Sequence, residues 1–236
     1  MTTALVVCRD ATERRRLVAA MRYGDMEVVT ARSNAQAAAI LQRRTIDVVL
    51  LAAAGSDRVS AVRDVRSRTG RPLIAISAPV DELHTVALLD AGADDVVYEP
   101  VEVEVLLARV RALMRRCNRG GEEGDLAPIV TDDFTLYVAD RRLVRASGTE
   151  VTFSPTEWRL IEVLVQRAGH LVTREDALAE VWGPSRADKT QYLRVYMTAI
   201  RRKIEPVPAH PRYFLTVPGL GLRFVPQPAT ERHSAS

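Results

Sequence analysis

Five short apolar runs, each followed by a helical pattern, constrain the first 115 residues of this chain more than any other feature. The runs are Ala4–Val7, Val28–Ala31, Val48–Ala52, Leu73–Ser77 and Asp95–Tyr98. Helix-like periodicity follows each, over Thr12–Tyr23, Asn34–Arg43, Asp57–Arg68, Glu82–Ala91 and Glu102–Arg115. Continuous Val, Ile and Leu need burial on both faces, which a parallel sheet between helix layers provides. Five such β-α units predict a doubly wound α/β domain with a five-stranded parallel sheet. Chemistry in this architecture gathers at the carboxyl ends of the strands.

The rhythm then changes. Asn118–Asp125 (NRGGEEGD) is polar and Gly-rich and reads as a linker. The expected division is a first domain over 1–117, a linker over 118–127, a second domain over 128–226 and a loose tail over 227–236. In the second domain, Phe134–Val138, Arg141–Arg145 and Val151–Phe153 alternate like antiparallel strands. Ser154-Pro155-Thr156-Glu157 then supplies an N-cap, a first-turn proline and a capping-box acid. Helices are expected from there to about Arg167, from Arg174 to Val181 and from Lys189 to Ile204. Phe214–Val217 and Leu222–Val225, joined by Pro218-Gly219-Leu220-Gly221, close the pattern as a hairpin. Three helices and a hairpin make a winged helix, an arrangement that reads DNA.

Composition narrows the function. The chain is 47% hydrophobic and 27% charged, enough to bury two cores. No apolar run approaches the ~18 residues of a membrane span, and the amino terminus lacks the pattern of a signal peptide. Cys8 and Cys117 are too few for a disulfide framework or a zinc site, so a cytoplasmic setting without metal or cofactor is expected. No phosphate-binding glycine loop or nucleophile elbow occurs, and an enzyme is not the expected reading.

The third helix of the second domain carries the strongest chemical signal. Between Lys189 and Lys203 there are five basic residues and no acid. Leu193, Met197, Ile200 and Ile204 mark a buried face. The opposite face is expected to present Gln191, Val195, Thr198 and Arg202, flanked by Arg194, Ala199 and Arg201. Arginine can bond guanine, glutamine can bond adenine, and small apolar groups can meet the thymine methyl. Lys189, Tyr192, Tyr196 and Lys203 fall nearer the edges, where phosphates lie. The competing reading is a solvated basic helix face.

The segments FSPTEWRLIEVLVQRAGHLVTREDALAEVWG, YLRVYMTAIRRKIE and FLTVPGLGLRF resemble the effector domain of OmpR/PhoB-type response regulators, and are most like its KdpE branch. The resemblance implies a homodimer on direct-repeat half-sites of double-stranded DNA, with the third helix in the major groove. Where the family has a wing arginine and a wing tyrosine, this chain has Pro218 and Leu222. Trp182, placed in the loop before the third helix, matches a position that can touch RNA polymerase; a partly buried loop anchor is the other reading. By the same resemblance, Asp90, Asp94, Asp95, Arg109, Arg111 and Arg116 match the receiver's dimer face, where Thr85 and Val105 replace a further ion pair.

The first domain resembles a phosphoacceptor receiver without its chemistry. Phosphoryl transfer there needs a metal-binding acid pair, an aspartate nucleophile, a hydroxyl and a lysine. The matching residues here are Cys8-Arg9 with Asp10 next, Ala52, Ser77 and Glu99. The domain is therefore expected to act independently of phosphorylation, as a dimerisation module or as a sensor of a small molecule or partner protein. Arg9 and Glu99 reverse the usual charges of their positions: they either pair with each other or both face solvent. Cys8 beside Arg9 is either a reactive thiol or a small buried hydrophobe.

Overall fold

The computed structural model describes residues 2–52, 57–78, 82–118, 127–183 and 190–226. The chain divides into two compact units, Met1–Asn118 and Arg119–Ser236.

The first unit holds β1 (Thr3–Cys8), α1 (Ala11–Tyr23), β2 (Glu27–Ala31), α2 (Asn34–Arg43), β3 (Val48–Ala52), α3 (Arg58–Arg66), β4 (Leu73–Ser77), α4 (Glu82–Asp90), β5 (Asp95–Tyr98) and α5 (Val103–Asn118). All pairings are parallel, in the order β2-β1-β3-β4-β5. This is the doubly wound sheet that the five apolar runs predict. Side chains alternate along each strand, so Val6, Leu50, Ile74 and Val97 face one way, onto Leu17, Met21, Leu106 and Val110 of α1 and α5. Register sets Cys8 against Ala52, Ala52 against Ile76 and Ser77 against Tyr98, aligning the carboxyl ends at one sheet edge.

Asp94 corrects a sequence expectation. It matches a dimer-face position, but its side chain is fully buried and ion-paired with Arg66. The carboxylate also accepts from the Leu73 amide at 2.9 Å, while Arg66 Nε donates to the Gly92 carbonyl at 2.7 Å. A buried acid persists only when paired and hydrogen-bonded; this one ties the end of α3 to the start of β5.

The second unit opens with a four-stranded antiparallel sheet, β6 (Ile129–Val130), β7 (Phe134–Tyr137), β8 (Arg142–Arg145) and β9 (Glu150–Val151), in that order. Then come α6 (Pro155–Gln166), β10 (Val172–Thr173), α7 (Arg174–Trp182), α8 (Thr190–Ile204), β11 (Phe214–Val217) and β12 (Gly221–Phe224). The capping box at α6 forms as predicted: the Glu157 amide donates to Ser154 Oγ and the Ser154 amide to Glu157 Oε2. The sheet β10-β12-β11 is the wing, here with an extra strand. Its closeness explains Gly221: a Cβ there would sit 2.1 Å from the Val172 carbonyl oxygen. No described helix is long and apolar enough to cross a membrane.

Candidate nucleic-acid interface

On α8 the buried arc is wider than the aliphatic spacing predicts. Tyr192, Val195 and Tyr196 join Leu193, Met197, Ile200 and Ile204 inside. For the two tyrosines the cause lies on α7. Trp182 is buried, with its ring 6.0 Å from that of Tyr192 and 5.2 Å from that of Tyr196. This corrects three expectations: Val195 leaves the reading face and the two tyrosines leave the phosphate edge. Of the two readings of Trp182, its side chain takes that of a packed anchor. Gln191, Arg194, Thr198 and Arg202 are exposed. Spaced by three and four residues, they form one stripe, with Ala199 half-exposed beside it. Lys189 lies outside the described residues.

Two of the basic residues expected to face DNA, Arg201 beside the reading face and Lys203 at the phosphate edge, are engaged within the unit. Arg201 is half-buried; its Nε donates to the Phe214 carbonyl at 2.8 Å and a terminal nitrogen to Thr216 Oγ1 at 2.7 Å. Burial pulls its pKa down, opposed by the charge of Glu205. Lys203 Nζ donates to Glu157 Oε2 at 2.6 Å, so the capping-box acid also receives α8. Each of these cations is thus held by partners within the unit. Glu205 is buried and accepts from the amides of Arg212 (2.8 Å), Tyr213 (3.1 Å) and Phe214 (2.8 Å). Arg201 and Glu205 therefore fix the hairpin on α8.

Between α8 and the hairpin runs a groove of about 630 Å³, lined by Arg174, Thr190, Gln191, Arg194, Thr198, Arg201 and Thr216 among others. Sequence reasoning missed Arg174 and Thr216. Arg174 did leave a signal: a cation in the first turn of a helix opposes the macrodipole, which an anion at the groove would relieve. Leu222 is buried against β10, whereas Pro218 and Leu220 are exposed at the hairpin tip.

In the first unit, the aligned strand ends carry Cys8, Ala52 and Ser77. Cys8 is buried, its thiol donates to the Asp10 carbonyl at 3.4 Å, and burial pushes its pKa up; it is the packed hydrophobe of the two readings. The Asp10 carboxylate caps α1, accepting from the Glu13 amide at 2.7 Å. Arg14 folds back over the same loop, donating to the carbonyls of Cys8 (2.8 Å), Arg9 (3.1 Å) and Asp10 (3.4 Å). Arg9 and Glu99 do not pair. Arg9 is exposed, and the charged neighbours of Glu99 are Glu13, Arg16 and Arg58. Burial and the Glu13 charge raise the Glu99 pKa, while the hydrogen bonds from Arg16 lower that of Glu13. Ser77 is buried, and its hydroxyl donates to the Ala78 carbonyl at 2.9 Å.

Of the other dimer-face positions, Asp90 and Arg111 are exposed, and Asp95 accepts from Arg109 at 3.1 Å within the chain. Thr85 is buried and hydrogen-bonded to the Tyr98 hydroxyl, so it does not present a surface replacement for an ion pair; Val105 is exposed. The Arg116 side chain lies outside the described residues.

A doubly wound unit followed by a winged helix with a groove of arginines beside its third helix defines a DNA-binding transcription regulator. Known proteins agree. The family described as "Transcriptional regulatory protein, C terminal" matches residues 148–224. The transcriptional regulatory protein KdpE of Mycobacterium tuberculosis (strain ATCC 25618 / H37Rv) is 38% identical over 226 residues, covering 95% of this chain and 99% of its own length. The KDP operon transcriptional regulatory protein KdpE of Escherichia coli K12 is 34% identical over 227 residues, covering 95% and 100%. A solved structure of a RitR mutant shares the fold with a TM-score of 0.78 at 19% identity, covering 95% and 99%. The chain belongs to the OmpR/PhoB-type response-regulator family.

Proposed function

We propose that this regulator reads DNA through Gln191, Arg194, Thr198, Ala199 and Arg202, with Arg174 at the backbone, and that its receiver works without phosphorylation as a homodimerising module. The observation that carries the first part is the single exposed stripe on α8 beside the groove. An arginine or glutamine on such a stripe reaches base edges when the helix lies in the major groove. Arg202→Ala and Arg194→Ala are each expected to cost about 1–3 kcal/mol on a selected operator and to relax preference at one position. Arg174→Ala is expected to weaken all sequences alike and flatten the salt dependence. Fluorescence anisotropy on operator and scrambled duplexes distinguishes these. An Arg202→Ala variant with unchanged affinity and preference would remove Arg202 from the reading set.

The second part rests on Ala52 closing β3, where a phosphoacceptor carboxylate would stand. With no such switch, the active arrangement is selected by the sequence itself. Asp90, Asp95, Arg109 and Arg111 are the proposed dimer contacts. Exposed pairs of this kind contribute only ~0–1 kcal/mol each, yet linked effectors on direct repeats gain from effective concentration. Sedimentation without phosphodonor is expected to show dimers for the wild type and monomers for Arg109→Glu, with cooperative operator binding lost alongside. A wild type that stays monomeric and fills two half-sites independently would count against dimerisation.

A further inference from the structure

Thr198 stands at the middle of the exposed stripe on α8, one turn after Arg194 and one turn before Arg202. It is exposed, yet its hydroxyl hydrogen is spent: Oγ1 donates to the Arg194 carbonyl at 2.9 Å, inside the same helix. A threonine hydroxyl carries one hydrogen, so no donor is left for a base. With that oxygen held on the helix backbone, the rest of the exposed side chain is hydrocarbon, ending in the Cγ2 methyl. Ala199, half-exposed beside it, adds only another methyl. Arg201, three residues on, is committed elsewhere: its Nε donates to the Phe214 carbonyl at 2.8 Å and a terminal nitrogen to Thr216 Oγ1 at 2.7 Å. Val195, three residues before, is buried. The stripe thus carries long polar side chains to either side and an apolar step at its centre.

Given the reading face proposed for α8, on which this rests, we infer that Thr198 is a specificity-determining residue for thymine: its methyl packs on the 5-methyl group of a T·A pair. Every base pair shows donors and acceptors in the major groove, and thymine alone adds a methyl there. An apolar contact at that methyl buries hydrocarbon on both sides. The same contact set against a purely polar base edge would take water from groups that Thr198 has no hydrogen to satisfy. The lone pairs left on Oγ1 make an adenine or cytosine amino group the rival occupant. Four residues of helix advance about 6 Å, so the thymine lies between the pairs that Arg194 and Arg202 reach, within about two base steps of each.

The test uses full-length protein and a duplex with one half-site, selected from random sequence, in which each thymine is replaced in turn by deoxyuridine. That exchange removes the methyl and nothing else. At one position it is expected to weaken binding about fourfold, the effect of burying about one methyl group. Thr198→Ser keeps the hydroxyl and drops the methyl; it is expected to lose the same factor on the thymine duplex and to bind the two duplexes alike. Thr198→Val keeps a methyl and drops the hydroxyl; it is expected to retain the deoxyuridine penalty. Serine and valine lie near threonine in helix propensity, so both variants keep the helix. A penalty that survives Thr198→Ser in full assigns the thymine methyl to another residue and overturns the inference. So does a base preference lost in Thr198→Val and kept in Thr198→Ser, because the hydroxyl is then the reader. If Arg194→Ala weakens binding while no deoxyuridine replacement does, the thymine contact is overturned and the reading face stands. If Arg194→Ala has no effect either, the reading face itself fails and the thymine contact with it.

Discussion

Full-length protein incubated with acetyl phosphate and Mg²⁺ is expected to keep its intact mass, where a phosphoacceptor receiver would be modified. Ala52 has no oxygen to attack phosphorus, and its neighbours across the sheet at the same edge, Cys8 and Ile76, offer no carboxylate either. The loss extends past one residue. A receiver needs acids to hold the metal and a cation to hold the phosphoryl oxygens. Here the Asp10 carboxylate caps α1, and the Arg14 guanidinium sits on the carbonyls of the β1–α1 loop, where its charge repels a divalent ion. Glu99 brings negative charge to the position of the cation. Ala52→Asp alone is therefore also expected to remain unmodified under the same conditions. Mass spectrometry of both proteins, with operator affinity measured with and without donor, checks this. An aspartyl-phosphate adduct on the wild type, or a donor-dependent rise in affinity, would defeat the claim of phosphorylation independence.

What the sequence reveals, and what it hides, follows from the range of the forces involved. The sheet and its helices are legible because burial on two faces imposes long Val/Ile/Leu runs, and burial on one imposes helical spacing. The α6 start is legible because Ser154, Pro155 and Glu157 act within one turn. The two-residue strand β10 is not legible: it exists only through its pairing with β12, much later in the chain. The same applies to polar residues whose partners are distant. Asp94 resembles a surface acid until Arg66, 28 residues earlier, reaches it. Arg201 and Lys203 sit among the basic residues of α8 like any DNA contact, yet their partners are Phe214, Thr216 and Glu157. The two tyrosines of α8 read as surface residues because the indole packed against them lies on another helix. Hydrophobic spacing locates a face; only the neighbouring element decides how wide that face is.

Glu205→Ala is expected to be the most damaging single substitution in the second unit. The side chain is buried, and its two oxygens accept from the amides of Arg212, Tyr213 and Phe214. Those amides enter β11, where neither water nor another carbonyl replaces the carboxylate without rearrangement. Each buried donor left unpaired costs about 1–3 kcal/mol, so truncation is expected to lower the unit's stability by about 3–5 kcal/mol, a large share of the total for a domain this size. Glu205→Gln keeps one acceptor oxygen but loses the charge and turns a carboxamide NH₂ donor toward amides that also donate; about half the loss is expected. Urea unfolding of the full-length chain resolves this cleanly, because both tryptophans, Trp158 and Trp182, lie in the second unit and report on it alone. DNA affinity is expected to fall further than stability requires under conditions where the Gln variant is still folded, since Glu205 and Arg201 together set the hairpin against α8. An Ala variant that unfolds at the wild-type midpoint would show that the three amides find other partners, and that Arg201 alone holds the wing.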